Sequence, residues 1–143
     1  MSVKIFIDSN VLIYAHDADA GVKQKVAGDV LKDLWSSGLG IISTQVMQEF
    51  YVNVTRKIPT PLARSSVRTI LSNYTRWQVE QVSPTTVLAA SRIEERYKLS
   101  FWDSLILAAA QQGGAEKILT EDLHAGQKID GILVENPFST DAD

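Results

Sequence analysis

Asp8, Glu49, Asp103 and Asp122 stand in four separate stretches, IFIDSNVLIY, VMQEFYV, SFWDSLIL and KILTEDL, each inside or beside an apolar run. Taken singly, each has an ordinary structural role. Asp8, Ser9 and Asn10 have short side chains that cap the orphan amides of a helix's first turn. Ser100 and Asp103 have the spacing of a capping box, and an acid there also suits the positive end of the helix dipole. Thr120, Glu121 and Asp122 fit a turn after a strand, and Glu49 falls at the border of the stripe Val46, Met47, Phe50, Tyr51 and Val54, where a solvated Glu is the default. Taken together they suggest more. A set of Asp and Glu oxygens without thiol or imidazole is what a hard cation such as Mg2+ or Mn2+ selects. Crowded carboxylates repel, and a bound ion removes that cost, so metal binding and site geometry are coupled. One or two such ions can activate a water against a phosphodiester and stabilise the leaving oxygen. Whether the four acids converge depends on the fold.

The composition narrows the classes. The 143 residues contain no Cys and two His, which excludes a disulfide framework and a thiolate zinc site, so any metal must sit on oxygen. The opening MSVKIFID carries no apolar leader, and no run approaches the ~20 apolar residues of a membrane span, so a soluble cytoplasmic protein is expected. The formal net charge of −3 argues against a polyanionic partner, but setting the four acids aside turns it to +1. Between Glu49 and Glu80 the chain carries Arg56, Lys57, Arg64, Arg68 and Arg76 and no acid. A shared face of these residues would bind phosphates; a merely solvated helix surface is the plainer alternative.

The positioning elements follow from hydrophobic period and punctuation. Strands are expected at 3–7, 39–43, 77–82, 116–119 and 131–135. Val26, Val30, Leu31, Leu34 and Trp35 recur at helical spacing and stop at Gly38, and the stripe from Val46 to Val54 marks a second helix. Thr60-Pro61 and Ser83-Pro84 each place a cap before a proline, predicting helices over 61–74 and 84–98. FWDSLILAAAQQ is apolar nearly all round and predicts a buried central helix. Strands alternating with helices indicate an α/β domain with a mainly parallel central sheet of about five strands. One domain is expected over 1–138, with a frayed tail at 139–143. In such sheets ligands bind beyond the carboxyl ends of the strands, where Asp8 would lie.

Over nearly its whole length the chain resembles PIN-domain ribonucleases, and most closely the toxin half of VapBC-type toxin-antitoxin pairs. The stretches that carry the resemblance are FIDSNVLIY, QEFYVN, FWDSLILAAA and LTEDLHAGQKIDGILVENPF, in the family's order and spacing. It implies a three-layer α/β/α fold and an acidic quartet, here Asp8, Glu49, Asp103 and Asp122, that binds Mg2+ or Mn2+ and cleaves single-stranded RNA. It also implies supporting roles for Asn10 and Thr120, which orient carboxylates or act as plain cap and turn residues. A homodimer and a cognate antitoxin inserting a peptide over the site are further implications.

On this basis the expected function is a metal-dependent endoribonuclease, with Arg56, Lys57, Arg64 and Arg68 as candidates for gripping the RNA backbone. Trp102 and Tyr14 are candidates for base stacking, with burial in the core the expected role of each. Two alternatives stay open. A phosphoryl-transfer or receiver-like protein would use Asp8 with a lysine ending a late strand, whereas Lys117 begins one. A non-catalytic binding module would use the acids only as caps.

Overall fold

A computed structural model describes residues 3–139. Twelve elements follow one another along them: β1 (Ile5–Ile7), α1 (Ser9–Ala15), α2 (Val22–Ser37), β2 (Gly40–Ser43), α3 (Thr44–Arg56), α4 (Arg64–Tyr74), β3 (Gln78–Glu80), α5 (Pro84–Tyr97), α6 (Phe101–Gln112), β4 (Lys117–Leu119), β5 (Lys128–Ile129) and β6 (Ile132–Glu135). The strands form one sheet in the order β3-β2-β1-β4-β6-β5. All neighbours are parallel except β5 and β6. β1 thus has β2 on one side and β4 on the other, paired Phe6 to Ile41 and Ile7 to Leu119. The chain first winds outward from β1 through β2 to β3, then returns through α5 and α6 to the other side. The crevice between the carboxyl ends of β1 and β4 is therefore a topological switch point.

The strands are short, nearly continuous apolar runs, the composition expected of a parallel sheet covered on both faces. β2 is buried along its entire length, and Phe6, Ile7, Ile41, Ile42 and Ile118 are completely buried. Helices complete the cover in two packed groups, α1 with α2 and α3 together with α4, and α5 with α6. The apolar composition of α6 has the expected result, since every residue from Ser104 to Ala110 is buried. α2 ends where Gly38 adopts a left-handed conformation, which glycine enters without steric cost. No helix among the described residues is long and apolar enough to cross a membrane.

One short strand joins the expected sheet, and one helix boundary is corrected. The sheet has a sixth strand, because Lys128–Ile129 and Ile132–Glu135 form a hairpin across Asp130-Gly131, both at positive φ. Asp-Gly is the pair that a two-residue turn of this kind demands, so the signal was present in a strand too short for periodicity to register. The helix expected from residue 61 begins at Arg64 instead, with Ala63 at its cap. Prolines at 59 and 61 push the residues before them away from helical backbone, and the Thr60 hydroxyl donates to Asp19 Oδ2 (2.8 Å) rather than capping. The tail expected at 139–143 falls, from residue 140 on, outside the described residues.

Candidate functional site

The site begins where β1 and β4 leave the sheet side by side. The Asp8 N–H donates to the Leu119 carbonyl (3.1 Å), which sets Asp8 against Thr120. Asp8 is the N-cap of α1: its Oδ1 accepts from the Ser9 N–H (2.7 Å) and its Oδ2 from the Thr120 hydroxyl (2.7 Å). The side chain is nonetheless only 4% exposed. Burial pushes its carboxyl up to about 7 against the pull of those two hydrogen bonds, and the charges of Asp122 and Glu49 add to the rise. Thr120 is itself fully buried, and its oxygen also accepts from Asn10 Nδ2 (3.2 Å) and the Asp122 N–H (3.1 Å). Asn10 Nδ2 reaches Asp122 Oδ2 as well (3.0 Å). Asp8, Thr120, Asn10 and Asp122 are thereby joined in one network across two strand ends.

The other two acids arrive on helices. Ser43 ends β2 and caps α3 by accepting from the Val46 N–H (3.2 Å), so α3 starts directly at a strand's carboxyl end. Glu49 then lines the same crevice. Its Oε1 accepts from the Ser9 hydroxyl (2.8 Å) and its Oε2 from Gln45 Nε2 (3.3 Å). The buried Gln45 also donates to the Trp102 carbonyl (3.3 Å), tying α3 to the start of α6. Asp103 occupies the first turn of α6, where only half of the expected capping box forms: the Ser100 hydroxyl accepts from the Asp103 N–H (3.1 Å). Its carboxylate lies on the crevice wall, half-buried, with its carboxyl raised by burial and by the charge of Asp122. All four acids line one cavity of about 510 Å3, together with Ser9, Asn10, Lys57 and Trp102 among others.

The remaining candidates are placed unequally. Lys57 lines the cavity, whereas Arg56, Arg64 and Arg68 are exposed and outside its lining. Arg76 lies at the other end of the sheet, in a small cleft with Gly40 and Gln78 at the starts of β2 and β3. The acid-free stretch therefore does not present one basic face. Trp102, expected in the core, is 65% exposed at the cavity. Tyr14 is half-buried, its hydroxyl donating to Glu121, which also pairs with Lys23 (2.9 Å). Lys117 stands at the amino end of β4, paired with Glu135 (3.2 Å), so no lysine of this strand reaches Asp8 as a receiver-like site would need. Gln45 was not singled out from the sequence. The signal was its position four residues before Glu49, which puts the two on one helix face.

Among the described residues, no three His, Asp or Glu side chains are gathered to hold one ion by themselves. Mg2+ does not ask for such a cage, since it keeps several waters and commonly takes one or two carboxylates plus substrate phosphate oxygens. An open crevice walled by four carboxylates, with one of them buried, suits that mode of binding. It suits zinc poorly, because no His or Cys is at hand.

The model of the PIN domain matches residues 5–128. The chain belongs to the PIN domain family. This PIN domain is similar to the toxin-antitoxin complex from Klebsiella pneumoniae, at 18% identity and a TM-score of 0.70 over 94% of this chain and 98% of that one. VapC20 of Mycobacterium tuberculosis, described as a sarcin-ricin loop cleaving toxin, matches at 22% identity and a TM-score of 0.63 over 80% and 87% of the two chains. VapBC2 from Rickettsia felis, bound to a DNA fragment from its promoter, matches at 16% and 0.65 over 94% and 98%. At these identities the likeness is one of fold. No curated protein matches the chain in sequence.

Proposed function

We propose that this PIN domain is a divalent-metal-dependent endoribonuclease that hydrolyses phosphodiester bonds in single-stranded RNA, as the toxin half of a toxin-antitoxin pair in the cytoplasm. The observation that carries the reading is the meeting of Asp8, Glu49, Asp103 and Asp122, from four separate stretches of the chain, in one crevice at the sheet's switch point. The four would hold Mg2+ or Mn2+. Such an ion, when bound, acidifies a water and neutralises charge growing on the phosphate and the leaving oxygen. The chain's own residues prepare the place. Thr120 and Asn10 keep Asp8 and Asp122 from swinging apart, and Ser9 and Gln45 hold the two oxygens of Glu49. Lys57 offers a positive charge on the cavity wall for a phosphate, with Arg56, Arg64 and Arg68 as contacts farther along the strand.

Purified chain incubated with single-stranded RNA and Mg2+ or Mn2+ is expected to cut it, and EDTA to stop the reaction. Asp8→Asn and Asp103→Asn are each expected to slow cleavage by more than the ~10–100-fold typical of outer-shell metal partners. Undiminished cleavage by these variants would overturn the assignment. An antitoxin partner is supported by the complexes among the structural neighbours, and a short reading frame for a small DNA-binding protein beside this one is its expected mark. A homodimer is expected in light scattering at micromolar concentration, and a monomer there would remove it.

A further inference from the structure

We infer that Trp102 is a stacking platform for one unpaired base of the bound RNA, a reading that rests on the nuclease assignment and gives its substrate a definite contact. Trp102 is 65% exposed, so a large aromatic side chain with a polar N–H is open to a ligand. Its location says what that ligand is. The ring belongs to the wall of the cavity that holds Asp8, Glu49, Asp103 and Asp122, and it is next in sequence to Asp103. A nucleotide whose phosphate sits among those acids and Lys57 carries its base within reach of that wall.

The platform is also braced. The Phe101 ring stands perpendicular to that of Trp102 with centroids 5.4 Å apart, and the Trp102 carbonyl accepts from Gln45 Nε2 (3.3 Å). The same Gln45 nitrogen donates to Glu49, so the backbone carrying the indole is fastened to a site carboxylate. A rigid, amphipathic ring fixed to the reaction centre suits a base that has left its stack, and every base offers a π-face to it. Paired bases in a duplex have theirs covered, which makes the platform selective for single strands.

The test is binding of short fluorescent single-stranded oligoribonucleotides with cleavage-resistant phosphorothioate linkages, in Mg2+ at low salt, read by anisotropy and by quenching of indole emission. Each oligonucleotide carries one abasic nucleotide, and the gap is moved along the strand. Trp102→Ala is expected to weaken binding about ten-fold and lose most of the quenching, with Trp102→Phe recovering much of the affinity. At one position the abasic gap is expected to weaken the wild-type chain and leave Trp102→Ala unaffected. The proposal is overturned if the wild-type chain does not bind, if Trp102→Ala binds as tightly as wild type, if no gap position discriminates between them, or if a duplex competes equally. Metal-dependent cleavage by the wild-type chain, measured separately, tells failure of the platform from failure of the nuclease reading.

Discussion

At the scale of single residues, Asp8 concentrates the conflict between structure and chemistry. Its backbone is bound to a buried strand end, and its carboxyl is held up to about 7 chiefly by burial. A raised acid keeps its proton in the folded state over a range where the unfolded chain has already released it. Asp8 therefore favours folding most at low pH, and that stability is lost as pH rises from about 4 to about 7. Asp8→Asn is expected to melt higher than wild type at pH 8 and to show no such gain below pH 4; thermal denaturation across pH checks it. A variant more stable yet inactive is what a site strained for function predicts. Gln45 acts through Glu49 and is a positioning residue. Gln45→Leu is expected to weaken Mg2+ affinity about 10-fold in calorimetry while leaving the helical circular dichroism intact. Asp8, Asn10 and Thr120 could be singled out because each ends or follows an apolar run. The bond between Gln45 and the Trp102 carbonyl was not legible, because it joins residues more than fifty positions apart in the chain.

At the scale of elements, the least regular part of the site is the loop after β4 that carries Asp122. It is held by a cluster rather than by a ladder. Lys23 of α2 pairs with Glu121 and lies over the Tyr14 and Phe138 rings, Tyr14 of α1 donates to Glu121, and the Glu121 N–H reaches Asn10. The ion pair is partly exposed, so its contribution to global stability is small. Its effect is local. Glu121→Gln is expected to speed amide exchange over residues 120–126 while moving the global melting point by no more than about 2 °C, as hydrogen exchange and calorimetry would show. At this scale the sequence was most readable where the pattern is long. The helices over 84–97 and 101–112 and the stop at Gly38 follow directly from periodicity, capping and glycine. The two-residue β5 and the start of α4 were not, because a strand that short has no period and two prolines disguised the helix boundary.

At the scale of the whole molecule, charge and metal are linked. Four acids placed in one crevice burden an already acidic chain, and a divalent ion that binds only the folded form must stabilise it. Mg2+ at about 100 times its Kd is expected to add about 2.7 kcal/mol, or roughly 5–10 °C in melting temperature, at pH 8. The gain should shrink by pH 5, where a proton already occupies Asp8; an equal shift at both pH values, or none, would separate the acids from metal binding. The alternation of strand and helix, the parallel sheet, the absence of cysteine and the four acids beside apolar runs were all determined by the sequence, since hydrophobic period and residue chemistry are local properties. Only the tertiary structure decided that those acids share a crevice, that Arg76 lies at the opposite end of the sheet from it, and that Trp102 stands in the open beside Asp103. The order in which strands pair sets those distances, and residues forty or a hundred positions apart become neighbours only when the sheet closes around β1.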